Sequence, residues 1–475
     1  MSPVFDEAKY RALLEKLEVS ILTYAKMCEN NNTYRWDSEY FLKTYLAADI
    51  LIRNRNVIQL NSIASIKGGK RLPLFATFSP QGSPYIRAED VKNNFIHWEE
   101  SPKISFEVYQ LIKQYQLKYN DLLLTIVGNS IGDVGISKFA ISPCNFTENC
   151  VKITDNNISE YLFAFLLSRY GQIQIAREQV GTAQPKLAIE RIRTFLIPQF
   201  DQQFYKAIKA VIDNARKKEE ASIDCYKKSE NELLAELNLT DWQPDDESVE
   251  TKTFADFQNS GRLDAEYYQP KYDEYLAKVK SYSGGVSKLA NHFEQNKTTT
   301  TFSLPQYNYI EIGDINVSNG EASFNLVQTE ELPANAKYVI QQGDILISKV
   351  RPYRGAVSII DFEHQDVIAS GAFTILRENG AIRKEVLSTL LRTPLYKDWL
   401  LKWNVGSSYP VIKDEDILNL TIPVIKQEIQ DQIAAKVQES FALRKESKRL
   451  LDLAKHAVEV AIEQGEDAAM KLLEI

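Results

Sequence analysis

The sequence predicts an α+β protein: two tandem mixed α/β domains and two long helices, closed into a pseudo-two-fold cyclic repeat. Three observations predict it. The 475 residues exceed what one compact core holds, at roughly 100–200 residues per domain. The chain repeats itself in order. Two long stretches free of glycine and proline follow the two copies.

The repeat is read in five blocks. Arg35-Trp-Asp-Ser-Glu-Tyr-Phe41 recurs as Arg262-Leu-Asp-Ala-Glu-Tyr-Tyr268, and Pro84-Tyr85-Ile86 through Val91 as Asn308-Tyr309-Ile310 through Ile315. Asp121-Leu-Leu-Leu-Thr125 matches Asp344-Ile-Leu-Ile-Ser348, with Gly132 opposite Gly355. Gly181-Thr182 and Pro185, running to Ile197-Pro198, match Gly406-Ser407 and Pro410, running to Ile422-Pro423. Finally, Leu13 to Ser20 echoes Leu233 to Thr240, so the N-terminal helix is expected to complete the C-terminal half as the end of the first long helix leads into the second, which would make the repeat cyclic. The offset stays between 220 and 227 throughout, as duplication requires.

Taken in order, residues 1–33 read as an N-terminal helical segment and 34–198 as the first mixed domain. Its β-rich runs are Leu122–Val127 and Val134–Ser137, with a helix over 159–176. Residues 199–240 hold the first long helix, with Ile223, Tyr226, Leu233 and Leu237 at 3–4 spacing after an Ile-Pro step that ends extended backbone. Residues 241–260 are polar and acidic and read as a linker. The second mixed domain spans 261–423, with β-rich runs Ile345–Val350 and Ala356–Ile360 and a helix over 382–400. Residues 424–475 hold the second long helix, with Leu443, Ser447, Leu450, Ala454, Ala457 and Ala461 on one stripe. Each stripe includes small and polar residues, so the two helices need each other as partners.

Composition narrows the function. Cys28, Cys144, Cys150 and Cys225 show no metal spacing, and the apolar runs fall short of the ~20 residues of a membrane span. A reduced, cytoplasmic protein without a membrane partner is expected. The net charge of −8 is uneven: −6 lies within 199–260, while 60–198 carries +3 and 283–423 carries −3. Whole-chain acidity therefore says nothing against nucleic acid. Catalytic signatures are missing: no Gly-x-x-x-x-Gly-Lys-Ser/Thr loop, no Pro-Pro step, and four histidines (His97, His292, His364, His456) without metal-like spacing.

The Arg-x-Asp-x-Glu-Tyr opening motif and the Gly-Ser/Thr-x-x-Pro…Ile-Pro closing motif, each present twice and each copy followed by a long helix, resemble the specificity subunit of type I restriction–modification systems. The resemblance covers nearly the whole chain, although Tyr409 stands where the family often has Gln. It implies that each mixed domain is a target-recognition domain reading one half of a split double-stranded DNA sequence. It implies that the helices form an antiparallel coiled coil that sets the gap and docks two modification subunits. Those subunits would hold S-adenosylmethionine and methylate adenine, and restriction subunits would join them. This chain would be no enzyme, with no catalytic residue, metal or cofactor of its own. The alternatives are a coiled-coil scaffold whose domains bind proteins without DNA readout, and a fused enzyme.

Candidate DNA contacts are cations and amides in loops beside strands. In the first domain these are Lys67, Lys70 and Arg71 around Gly68-Gly69, Arg87, Asn129, and Gln184 with Lys186 in the closing motif. In the second they are Asn296, Lys297, Lys349, Arg351, Tyr353, Arg354 and Tyr409. Asp37, Glu39 and Tyr40, with Asp264, Glu266 and Tyr267, recur while the loops differ, and are expected to hold the fold.

Overall fold

The structure, a computed structural model, describes residues 19–29, 31, 34–98, 101–138, 143–154, 156–181, 185–245, 249–406 and 409–473. The echo between Leu13 and Ser20 lies almost wholly outside these residues. Two compact units divide the chain: Met1–Lys218 with Glu446–Ile475, and Glu219–Lys445.

The first unit carries strands β1 (Val57–Gln59), β2 (Ser65–Gly68), β3 (Phe78–Ser79), β4 (Ser83–Ile86), β5 (Lys103–Ile104), β6 (Leu122–Thr125), β7 (Val134–Ile136), β8 (Asn145–Phe146), β9 (Cys150–Thr154) and β10 (Leu196–Pro198). An antiparallel sheet runs β2-β9-β6-β7, a second runs β3-β5-β4-β8 with β4 and β8 parallel, and β1 pairs with β10. The run Leu-Leu-Leu of β6 is continuous because both its faces are covered: Leu122 and Leu124 enter one core, Leu123 another.

The second unit carries β11 (Val286–Lys288), β12 (Phe293–Gln295), β13 (Gln306–Ile310), β14 (Asn325–Gln328), β15 (Ala336–Val339), β16 (Ile345–Ser348), β17 (Val357–Ile359), β18 (Val367–Ser370), β19 (Phe373–Glu378) and β20 (Thr421–Pro423). Its sheet β12-β19-β16-β17 has the connectivity of β2-β9-β6-β7, and β11-β20 that of β1-β10. The parallel pair β13/β18 repeats β4/β8. Ile345 and Ile347 again face one core and Leu346 another. The duplication read from sequence is thus a duplication of topology in the sheets around β6 and β16, while the second sheet differs, running β14-β13-β18-β15 against β3-β5-β4-β8.

The expected single helices over 159–176 and 382–400 are each broken once, at the same place in the repeat. Ser159–Leu167 ends at Ser168 and Arg169–Glu178 begins there; Lys384–Arg392 ends at Thr393 and Pro394–Trp399 begins there. Each hydroxyl donates back to a carbonyl of the ending helix (Phe165, 2.6 Å; Leu390, 2.7 Å) and caps the next.

The long helices are Gln202–Glu236 and Gln427–Gln464. Within the first unit, Ser447 Oγ donates to the Ala215 carbonyl (2.8 Å) and Asp201 N–H to Glu466 (2.9 Å). Within the second, the Ser222 and Ser440 hydroxyls meet at 3.0 Å and Lys436 binds Glu232 at 2.5 Å. Both pairings are antiparallel. Phe204, Ile208 and Ile212 are buried with Leu450, Ala454 and Val458, and Leu233 with Ile433 and Val437. Ile223 and Leu443, expected in the stripe, are only half-buried, and the seam passes through Ser222, Ser229, Ser440 and Arg444. No helix among the described residues is long and apolar enough to cross a membrane.

Candidate nucleic-acid interface

In the first unit, strand ends at one end of the sheet β2-β9-β6-β7 converge on the turn 147–149. Thr147 N–H donates to the Ile86 carbonyl (2.9 Å), Lys70 N–H to Phe146 (3.1 Å), Gly69 N–H to Cys150 (3.1 Å) and Ile126 N–H to Asn149 (2.8 Å). A side chain at residue 69 would lie 2.0 Å from the Thr147 carbonyl, so the glycine serves close approach of chain to chain. Around this turn sit Lys67 on β2, Lys70, Arg71 and Arg87. Arg71 pairs with Glu148 at 2.5 Å, and Arg87 is held by Asp90 (3.0 Å) and by Glu89. Asn129 is exposed in the loop after β6. Lys186 joins it, because residue 186 bridges both Val127 and Val180 and Leu187 N–H donates to Ile126 (3.0 Å). Gln184 lies outside the described residues.

The same construction stands in the second unit. Lys349 N–H donates to Ala372 (2.9 Å), Ile412 N–H to Lys349 (3.0 Å) and Arg351 N–H to Pro410 (2.7 Å). Val411 and Ile412 of the closing motif are therefore laid against the loop after β16, as Lys186 and Leu187 are against the loop after β6. Arg351 takes a left-handed conformation (φ 51°), and its guanidinium lies 4.5 Å from the centre of the exposed Tyr409 ring. Lys349 is drawn inward to Asp414 (3.1 Å); burial opposes ionisation there, but hydrogen bonds from Thr374 and Lys349 hold the carboxyl below the usual range. Tyr353 and Arg354 are exposed, as is Lys297 after β12. Asn296 is buried instead: its amide donates to Val339 (2.8 Å) and Asp344 (3.3 Å), and its oxygen accepts from Thr298 (2.9 Å).

Among the described residues, Lys70, Lys186, Lys297 and Arg354 are exposed cations without an ion pair, available to phosphates. The turn 147–149, on which the first-unit loops converge, was missed; Thr-Glu-Asn between two β-rich runs was its only local signal. Burial pushes the thiols of Cys144 and Cys150 up to about 12, which leaves them protonated and poor nucleophiles.

The opening motifs hold the backbone that leads into the closing ones. Arg35 forms a fork with Asp37, Nη2 reaching Oδ1 at 2.5 Å, and its Nη1 donates to the carbonyls of Arg177 (3.1 Å) and Gln179 (2.8 Å). Arg262 pairs with Asp264 (2.7 and 2.9 Å) and donates to the Asn404 carbonyl (2.5 Å). Arg35 and Arg177, like Arg262 and Asn404, stand 142 residues apart. Hydrogen bonds from these arginines hold Asp37 and Asp264 below the usual carboxylate range.

Comparison with known proteins fits this doubled architecture. The sequence model of the type I restriction modification DNA specificity domain matches residues 53–222 and again 283–450, well over half the chain. A stretch of 160 residues is 27% identical to the type I restriction enzyme HindI specificity subunit of Haemophilus influenzae, covering 32% of this chain and 33% of that one. Two solved structures are similar over 86% of the chain. They are the type I restriction-modification S subunit from M. genitalium (13% identity, 96% of that chain, TM-score 0.39) and the HsdS subunit from Thermoanaerobacter tengcongensis (14%, 97%, TM-score 0.28).

Proposed function

We infer the role of this chain from a plain premise: it belongs to the type I restriction modification DNA specificity family. It is a DNA-recognition subunit of a restriction–modification system. Each of its two domains reads one half of a bipartite duplex target, and the long helices set the gap between the halves. The observation that carries this reading is that one loop constellation is built twice. In each unit a closing motif is laid against the loop after the central strand (Val127 with Lys186, Val350 with Val411), and an exposed cation stands in that pair of segments, Lys186 in the first and Arg354 in the second. A 35-residue helix is roughly 50 Å long, ample for a spacing near one DNA turn, ~34–36 Å.

The chain performs no chemistry itself. Two modification subunits, one for each copy of the repeat, hold S-adenosylmethionine and methylate adenine, and restriction subunits join them in the cytoplasm. Lys70, Lys186, Lys297 and Arg354 supply phosphate contacts, while Asn129, Tyr353 and the Arg351–Tyr409 pair stand where base edges would be met.

Methylome sequencing of cells with and without the gene tests the reading. A split adenine motif that vanishes on deletion, and of which only one half changes when 283–423 is exchanged, is the expected result. An unchanged methylome in cells where the assembled complex is present would overturn it. S-adenosylmethionine binding by the isolated chain would contradict its passive role.

A further inference from the structure

We propose that Arg35 and Arg262 are positioning residues for DNA recognition, each governing the recognition loops of its own domain and not those of the other. The proposal rests on the reading of the two domains as DNA readers, and it concerns a motif that touches no DNA in that reading.

From each guanidinium a chain of hydrogen bonds runs outward to a loop. Arg35, with its side chain 10% exposed, spends one edge of its fork on Asp37 and another nitrogen on the carbonyls of Arg177 and Gln179. Gln179 is followed by Val180, which exchanges both backbone hydrogen bonds with Lys186 (3.0 and 2.8 Å) across Gly181, whose φ is 99°. Lys186 in turn bridges Val127 at the root of the loop holding Asn129. In the second unit, Arg262 holds the carbonyl of Asn404. The side chain of Asn404 donates to Gly406 (2.8 Å) and accepts from the backbone of Gly406 (2.8 Å) and Val411 (3.0 Å), so one amide ties Gly406 to Val411. Between them Tyr409 meets the guanidinium of Arg351, and the backbone N–H of Arg351 donates to the Pro410 carbonyl. Two routes built from different residues thus begin at the same arginine of the repeat and end at the same loop.

An arginine suits the position because its planar fork binds the carboxylate in two places and still has a donor for the carbonyl. A lysine keeps the charge but not that geometry. Arg35→Lys and Arg262→Lys in the full chain, assembled with its modification subunits, are therefore the test.

The methylome is the first readout. Arg35→Lys is expected to blur one half of the split motif by about tenfold in stringency, and Arg262→Lys the other half. Amide hydrogen exchange is the second: Val180 and Lys186 should exchange about tenfold faster in Arg35→Lys alone, and Val405 and Val411 in Arg262→Lys alone. Unchanged stringency, or both halves blurred by either variant, would overturn the proposal. If a lysine variant fails to assemble, Asp37→Asn and Asp264→Asn, which release the fork but keep its arginine, must show the same division between halves. A wild-type chain that leaves no split motif would sink the DNA-reading interpretation instead. Unchanged exchange at the four amides would then still overturn the clamp.

Discussion

Asp344 shows how finely a single buried residue separates fold from function. Its carboxylate is fully buried and accepts from Arg377 (2.7 Å), the Gln341 backbone (3.0 Å) and Asn296 (3.3 Å). Asp344→Ala is expected to cost about 3 kcal/mol in urea unfolding, the lower end for a broken pair because Arg377 still reaches water. The same network explains why Asn296 was read from sequence as a DNA contact: nothing in its neighbours tells an inward amide from an outward one. Lys70 and Arg354 are the opposite case, exposed and unpaired among the described residues. Lys70→Ala and Arg354→Ala should each weaken binding across all sequences and reduce the salt slope of DNA affinity by about one. Asp37 and Asp264 respond to pH. Their lowered values in the folded chain mean a stabilising contribution that is full above the ordinary carboxylate pKa, about 4, and is lost as pH falls through the lowered values. Thermal midpoints from pH 7 down to pH 2 should show an acid-side decline that Asp37→Asn makes shallower.

Elements were legible where a period or a punctuating residue marked them. The buried runs of β6 and β16, the Ile-Pro steps of β10 and β20 and the two long helices all follow from local pattern. The break at Ser168 did not stand out, because a hydroxyl residue inside a helical pattern is tolerated until its side chain caps a new turn, whereas that at Thr393 was marked by Pro394, which disfavours helix at the residue before it. The stripe was misplaced by one residue, at Ile223 in place of Ser222 and at Leu443 in place of Arg444, since apolar spacing passes over the polar residues, here a serine and an arginine, that the seam buries. At the seam of the second unit, Ser222 and Ser440 each donate to the other's backbone at 2.8 Å. Ser440→Leu should therefore overpack the helix pair, costing about 1–3 kcal/mol, whereas Ser440→Ala should cost about 1 kcal/mol; differential scanning calorimetry distinguishes them.

For the molecule as a whole, duplication was the most informative feature of the sequence, because topology repeats even where residues do not. The loops that differ between copies were legible only as positions, since their conformation depends on contacts such as Gly69 against Thr147 and Arg351 over Tyr409, made far along the chain. The division into units adds a consequence for biosynthesis. Residues Glu219–Lys445 form one unbroken stretch, so the second unit has all its parts as soon as Lys445 clears the ribosome. The first unit, begun earlier, must wait for Glu446 onward, whose Leu450, Ala454 and Val458 complete its core and whose Ile462 carbonyl receives Arg55 (2.8 Å). At about 5–20 residues per second the earlier-made domain waits tens of seconds with that core face uncovered. Synthesis order and folding order are thus reversed, and nascent-chain chaperones have most to guard in the half that is made first.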